Sequence, residues 1–160
     1  LKEPHSAYGW NTTTRLLMNF AKGTVNHGYK GGDIIKHKFV IKGRLPSLNE
    51  YCNAERKGYH CANGMKHRCQ NVIIGYIRRF KLKPIRHPVK IQYRFYEPNK
   101  RRDKDNISAI AHKFIQDAIV EAGILRDDGW DYITGFSDEF YIDKLNPRIE
   151  VVLIEERTKT

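Results

Sequence analysis

Two short acidic clusters in the second half of the chain are the side chains best suited to chemistry. Asp103 and Asp105 stand two residues apart, where a predicted strand gives way to a predicted helix. In an extended segment, residues i and i+2 point to the same side, and a helix N-terminus favours anions. Two carboxylates placed this way suit a hard cation such as Mg2+, which takes oxygen ligands and keeps several waters.

The second cluster, Asp127-Asp128-Gly129, lies in the loop predicted after the same helix. A bend of the chain could return one of these aspartates to the first pair. Each cluster also has a purely structural explanation, because Asp105 or Asn106 could cap the helix and Asp127-Asp128-Gly129 could form a turn. D-x-D by itself is a weak signal, so both explanations stay open at this point.

The predicted helix between the two clusters carries a lysine on its polar face. At about 100° per residue, Asn106, Lys113 and Asp117 fall within roughly 40° of one another, opposite the apolar stripe. A lysine there could contact a scissile phosphate or stabilise transition-state charge. The alternative is an exposed ion pair between Lys113 and Asp117, four residues apart.

Charge is divided unevenly along the chain. The total is +11, from 29 Lys and Arg against 18 Asp and Glu. Residues 55–104 hold fifteen basic and three acidic residues, a net charge of +12, whereas residues 105–160 hold six and twelve, a net charge of −6. A basic segment is suited to binding polyanions such as DNA. The acidic segment favours a nuclease over a protein that only coats nucleic acid, because a nuclease needs carboxylates to hold metal cations beside the bound phosphate.

Hydrophobic periodicity predicts the elements that position these residues. Alternation predicts strands, and spacings of three and four predict helices; Gly123 is the expected C-cap of the second helix. The predicted fold class is α+β, a small mixed sheet with two principal helices in β-α-β-α-β-β order. The predicted elements are a strand over Lys38–Arg44, a helix within Ala54–Phe80, a strand over Val89–Tyr96, a helix from 101–106 to Ala122, strands over Tyr132–Phe136 and Phe140–Ile142, and a strand over Arg148–Ile154.

Length and composition exclude several classes of protein. A chain of 160 residues with 40% hydrophobic residues fits one packed domain. The longest clean apolar stretch, Val72 to Ile77, is far shorter than the roughly 20 residues of a membrane span, and residues 1–11 do not resemble a signal peptide. Three cysteines make no disulfide framework, which favours the cytoplasm.

Three runs in order, 101–106 (RRDKDN), 113–118 (KFIQDA) and 123–128 (GILRDD), resemble the RusA family of Holliday-junction resolvases. The runs 45–51 (LPSLNEY) and 53–56 (NAER) are similar to the N-terminal signature of the family's phage-type branch. The resemblance covers about residues 36–155. The combination of motifs is specific, although each motif alone is not.

The resemblance implies a RusA-like fold and a small homodimeric, Mg2+-dependent endodeoxyribonuclease that resolves four-way DNA junctions by paired nicks, in recombination and repair. By position, Asp103, Asp105 and Asp128 match the family's metal-site aspartates, and Lys113 matches its catalytic lysine. No organic cofactor and no membrane partner are implied. One departure concerns the lysine: the family's usual position is occupied by Ala109, and Lys113 fits only with one extra helical turn after Asn106. The register favours Asp128 over Asp127.

Basic residues near these motifs are candidates for DNA backbone contacts. They are Lys66, Arg68, Arg101 and Arg102, with Asn49 in a predicted loop near the site. The alternative function is a non-catalytic basic DNA-binding module that keeps the aspartates as helix caps. A zinc site is disfavoured, because C-x-x-C pairs are lacking around His60, Cys61, His67 and Cys69.

Residues 1–35 show no sustained periodicity and are predicted to be a loose leader before the endonuclease domain at 36–160. One explanation is translation of an upstream region, since residues 30–33 (KGGD) are what a ribosome-binding sequence encodes and Leu1 is not a normal initiator. The other is a basic arm that contacts DNA.

Overall fold

The computed structural model describes the backbone of residues 24–29 and 32–157, and the side chains of residues 34–155. This part of the chain is an α+β structure, as predicted. Its strands are β1 (Thr24–Tyr29), β2 (Gly32–Lys42), β3 (Val89–Glu97), β4 (Ile133–Ile142) and β5 (Arg148–Arg157); its helices are α1 (Leu48–Lys57), α2 (Tyr59–Arg79) and α3 (Lys104–Glu121).

The strands form one mixed sheet in the order β1-β2-β5-β3-β4. Only the β3–β4 pair is parallel among the described strands, and α3 makes the crossover between them. The start of β4 therefore lies beside the start of β3: Ile133 is paired with Val89, and the Val89 amide donates to Tyr132 O at 2.9 Å.

The core lies between one face of the sheet and the helices. Alternate residues of β3 are buried, which is the pattern of a strand with one covered face. They pack with buried side chains of β2 and β5 and with the apolar stripes of α2 and α3. The largest fully buried side chains are Phe39, Ile41, Ile73, Ile77, Tyr93, Phe95, Phe114, Ile115, Ile119 and Leu153.

The single helix predicted within Ala54–Phe80 is two helices. Gly58, at φ +128°, separates α1 from α2 in a conformation that side-chain-bearing residues rarely adopt. The turn predicted over 45–49 ends earlier than expected, because Ser47 is the N-cap residue of α1. Ser47 Oγ accepts a hydrogen bond from the Glu50 amide at 3.3 Å, and Glu50 Oε2 accepts one from the Ser47 amide at 2.7 Å. The sequence contained this S-x-x-E signal.

The first strands of the sheet begin earlier in the chain than the alternating pattern predicted. β1 and the first residues of β2 lie in the segment predicted to be a loose leader, and the proposed boundary at 35/36 falls inside β2. Residues Asp33 to Lys42 of β2 pair with β5. Backbone hydrogen bonds hold the first residues of this strand in the sheet, although their side chains do not alternate between apolar and polar. The rest of the predicted leader, residues 1–23, 30 and 31, lies outside the described residues.

β4 is one strand of ten residues, although the pattern predicted two shorter ones. It is the last strand of the sheet as described and is covered less completely than β3, which weakens the alternation of its side chains. Among the described helices, none combines the length and the apolar character that crossing a bilayer requires.

Candidate functional site

Asp103 and Asp105 lie at the start of α3, as predicted. Asp103 is the N-cap residue, in an extended conformation at φ −71° and ψ 149°, and its side chain makes no capping hydrogen bond in the described structure. Asp105 is in the first turn, and both residues are exposed. Helix capping therefore does not occupy the Asp103 carboxylate, and the positive end of the helix dipole favours both charges.

Lys113 lies two turns further along α3, between two carboxylates. Its Nζ is 2.7 Å from Asp117 Oδ1 and 3.6 Å from Asp128 Oδ2. The i,i+4 ion pair with Asp117, which was the structural alternative for Lys113, is thus formed, and so is the approach to Asp128. These residues lie around a cavity of about 380 Å³.

Asp117 is the centre of this cluster, and the sequence analysis did not include it in the site. Its Oδ2 is 2.8 Å from Lys66 Nζ and accepts a hydrogen bond from Gln70 Nε2 at 3.3 Å. Both partners come from α2, so the cluster ties α2 to α3. The signal available in the sequence was the shared polar face of Lys113 and Asp117.

The two lysines determine the charge state of the cluster. Burial alone would raise the pKa of Asp117, but the hydrogen bonds from Lys113 and Lys66 outweigh it and hold that pKa below its ordinary value. The hydrogen bond to Asp117 in turn raises the pKa of Lys113. Lys113 is therefore a cation at neutral pH, fixed beside Asp128.

Asp127 and Asp128 have different surroundings. Asp127 is exposed, and its Oδ1 accepts the hydrogen bond of the Asp128 amide at 2.9 Å, which is a turn contact. Asp128 is the member of the pair whose carboxylate approaches Lys113. The choice of Asp128 over Asp127 as a metal ligand, which rested on the register of the resemblance, stays a prediction.

The three predicted metal-site aspartates do not come together. Within residues 34–155, no three His, Cys, Asp or Glu side chains form a group that could hold a metal ion. Asp103 follows the end of β3, whereas Asp128 precedes β4, whose start lies beside the start of β3. Asp128 contacts Lys113, which follows Asp103 by ten residues, and ten residues rise about 15 Å along a helix at 1.5 Å per residue. Asp103 and Asp128 are therefore separated along α3.

Asp103 instead lines a second cavity, of about 400 Å³, which we call the edge cavity. It lies between the start of α3 and the end of β4. Its buried carboxylate is Glu97, the last residue of β3, which the sequence analysis did not identify. The lining residues are Glu97, Asn99, Lys100, Arg102, Asp103, Lys104, Ile107, Phe140, Tyr141 and Ile142.

Arg102, predicted to contact DNA, is engaged inside the protein. Its guanidinium donates to both Glu97 oxygens, at 2.7 and 3.2 Å, and to Leu45 O at 2.9 Å. Arg44 adds a further contact to Glu97 at 3.6 Å. Arg102 therefore neutralises a buried carboxylate and ties β3 to the segment before α1.

The other predicted DNA contacts are spread over the surface. Arg68 and Arg101 are exposed; Arg68 lies on α2, and Arg101 is in the loop before α3. Asn49 is also exposed but belongs to the first turn of α1 rather than to a loop. Lys66 is the exception, because its amine is paired with Asp117.

No family model matches the sequence, and no curated protein matches it. Among solved structures, the chain is similar to one described as "AaThiL complexed with AMPPCP and TMP", with a TM-score of 0.44 and 9% identity. The match covers 96% of this chain and 46% of the other, so the chain spans less than half the length of that structure.

Proposed function

We propose that this protein is a structure-selective DNA endonuclease of the RusA type, which resolves Holliday junctions by paired nicks in recombination and repair. The observation that carries the proposal is the position of Lys113 beside Asp128. The resemblance required an extra helical turn to match Lys113 to the family lysine, and the contact of 3.6 Å supports that register.

The distribution of charge supports DNA as the partner. The basic segment 55–104 includes α2, β3 and the loop that leads to Asp103. Cations such as Arg68 and Arg101 are exposed there and are suited to phosphate contacts. Six of the twelve acidic residues that follow lie in α3 and the loop after it. Asp105 is the first of them, so carboxylates and cations adjoin at the start of α3.

Lys113 has the charge that the proposed role requires. A fixed ammonium beside a phosphodiester stabilises the negative charge that develops when the bond is cleaved. Asp117 holds the ammonium in place at 2.7 Å, while the lysine side chain stays largely exposed to an incoming phosphate. Asp117 is thus a positioning residue in this proposal.

Mg2+ is part of the proposal because the resemblance implies it. The donor set predicted for the metal, Asp103, Asp105 and Asp128, does not assemble in one protomer. Asp103 and Asp105 are exposed at the start of α3, where neither carboxylate forms an ion pair with the described residues. Oxygen ligands of this kind are those that Mg2+ prefers.

Two nicks in one junction require two active sites, so we propose a symmetric homodimer. We also propose a cytoplasmic location, because Cys52, Cys61 and Cys69 are all free thiols, as expected in a reducing compartment.

The second candidate is a non-catalytic DNA-binding module. The separation of Asp103 from Asp128 favours it, because such a module needs no assembled carboxylate site. A synthetic four-way junction distinguishes the two functions when it is incubated with the protein with and without Mg2+. Paired nicks only with Mg2+ support the nuclease. Binding without nicks under both conditions supports the module and contradicts the nuclease.

A further inference from the structure

A long stretch of the chain that includes all of α2 contains no acidic residue. Residues 56–96 hold eleven Lys and Arg and no Asp or Glu. The basic residues within α2 are Lys66, Arg68, Arg78 and Arg79. Lys66 is paired with Asp117 of α3, whereas the three arginines are exposed and form no ion pair with the described residues. The arginine charges can therefore meet an anion from outside the protein.

The three arginines lie on one side of α2. At about 100° per residue, Arg79 lies roughly 20° and Arg78 roughly 80° from Arg68 around the helix axis. Arg68 and Arg79 are eleven positions apart, which is about 16.5 Å along the axis at 1.5 Å per residue. The buried side chains of α2 lie on the other side of the helix. We call the exposed side the α2 stripe; it consists of Arg68, Asn71, Gly75, Arg78 and Arg79.

The middle of the α2 stripe is open. Gly75 lies there, between Arg68 and the pair of arginines at the end of the helix, and it is exposed. A Cβ atom added to Gly75 would have no neighbouring group within 4 Å. The helix surface between its two basic ends is therefore low and uncharged, and a long polyanion can lie across it.

The spacing of the charges suits a rigid polyanion. B-DNA carries one negative charge per 1.7 Å or so of its axis, so about ten phosphate charges pass along a stretch as long as the stripe. Arginines fixed on a helix favour a duplex over a single strand, because a flexible strand loses more freedom when it is ordered. Ile73, Ile74 and Ile77 face the core, so α2 offers no continuous apolar face to a lipid surface.

We propose that the α2 stripe binds the phosphate backbone of one duplex arm of a branched DNA, without reading its base sequence. Arginine is well suited to phosphate, and contacts to the backbone position a duplex but carry no sequence information. Lys66, which contacts Asp117, lies roughly 160° from Arg68 around α2. The stripe therefore holds DNA away from the cluster around Lys113. This inference rests on the proposed function and identifies a surface that holds an arm of the junction outside the site of cleavage.

The direct test introduces a charge at Gly75. Gly75→Glu places a carboxylate on the α2 stripe, and Gly75→Gln, the matched control, places an uncharged side chain of the same size there. Binding to a fluorescein-labelled duplex of about 20 base pairs is measured by anisotropy in EDTA, so that no cleavage occurs. Gly75→Glu is expected to bind about tenfold more weakly than Gly75→Gln. Both variants should melt no lower than the parent, because Glu and Gln favour a helix more than Gly does.

The salt dependence of duplex binding gives a second measurement. Substituting both Arg78→Ala and Arg79→Ala is expected to reduce the slope of log affinity against log salt by about two, since each phosphate contact contributes about 0.9. The control, Arg78→Lys with Arg79→Lys, keeps both charges and should keep the slope. Equal duplex binding by the two Gly75 variants, or an unchanged slope in the double alanine variant, would overturn the assignment. A loss of affinity for a single strand of the same length as large as the loss for the duplex would overturn the duplex as the ligand.

The junction assay separates this inference from the proposed function. If the parent nicks junctions and the two Gly75 variants bind the duplex equally, the nuclease stands and the α2 stripe is wrong. If duplex binding depends on the stripe and the parent does not nick with Mg2+, the nuclease is wrong and the stripe is supported.

Discussion

Lys113 Nζ lies 3.6 Å from Asp128 Oδ2, although the two residues are separated by the rest of α3 and the loop that follows it. The contact forms because the chain after Gly123, at φ +72°, turns back along the helix. It brings together one predicted catalytic residue and one predicted metal-site residue. Asp117, 2.7 Å from the same ammonium, completes the cluster.

Asp105→Asn is expected to abolish junction cleavage and to keep junction binding, because it removes a predicted metal ligand without changing the size of the side chain. Asp105 is exposed, so the melting temperature should stay close to that of the parent. Nicking and gel-shift assays on one junction measure both effects. Asp131→Asn, at another exposed aspartate, is the control and should cleave normally. Cleavage by Asp105→Asn at the parental rate would show that the site assignment is wrong.

Lys113→Ala is expected to slow junction cleavage by about a hundredfold, the size of effect seen when one charge-stabilising group is lost. Stability should change little, because Lys66 still pairs with Asp117 and the Lys113 side chain is largely exposed. Single-turnover cleavage rates measure the effect. Lys83→Ala, at an exposed lysine beyond α2, should leave the rate unchanged. Equal rates for the two variants would remove Lys113 from the site.

Arg101 and Arg102 are adjacent in sequence but are expected to respond differently to substitution by alanine. Arg102→Ala leaves the buried Glu97 carboxylate without its bidentate partner, which should lower the free energy of unfolding by about 3 kcal/mol. Arg101→Ala should change that free energy by less than about 0.5 kcal/mol and lower the salt slope of DNA binding. Urea unfolding and salt titration distinguish the two residues. Equal loss of stability in both variants would contradict the roles assigned here.

The Asp117 carboxylate is expected to make stability depend on pH. Its pKa is lower in the folded than in the unfolded protein, so its stabilisation is complete above the unfolded value and is lost as pH falls through the folded value. The window is therefore below about pH 4. Asp117→Asn should cost about 1 kcal/mol at neutral pH and approach the parent in acid. A difference that is constant from neutral pH to pH 2 or so would refute this linkage.

The sequence by itself determined the α+β class and the elements with strong periodicity. Val89–Tyr96 alternates because one face of β3 is buried, and the observed strand differs from that prediction by one residue. The apolar stripe of α3 likewise identified its buried face, with Ile107, Ile110, Phe114 and Ile119 inside. Local pattern sufficed there because one face of each element contacts the core along its whole length.

The start of α1 could also have been predicted from the sequence. Ser47 and Glu50 carry the capping-box spacing that places the start of α1 at Leu48, which the turn residues Pro46 and Asn49 obscured. The break at Gly58 is less visible, because an isolated glycine inside a helical pattern is often tolerated.

Only the tertiary structure decided which acidic residues meet. The sequence placed Asp103, Asp105 and Asp128 around one helix, but the distance between them depends on how β3, α3 and β4 are connected. Since β4 is parallel to β3, α3 returns along β3. Asp103 lies at the start of α3, whereas Asp128 lies beside Lys113, near the middle of this helix. The same connection brings Asp128 to Lys113 and Phe140 to Lys104. Long-range strand pairing sets these positions, and local periodicity cannot encode them.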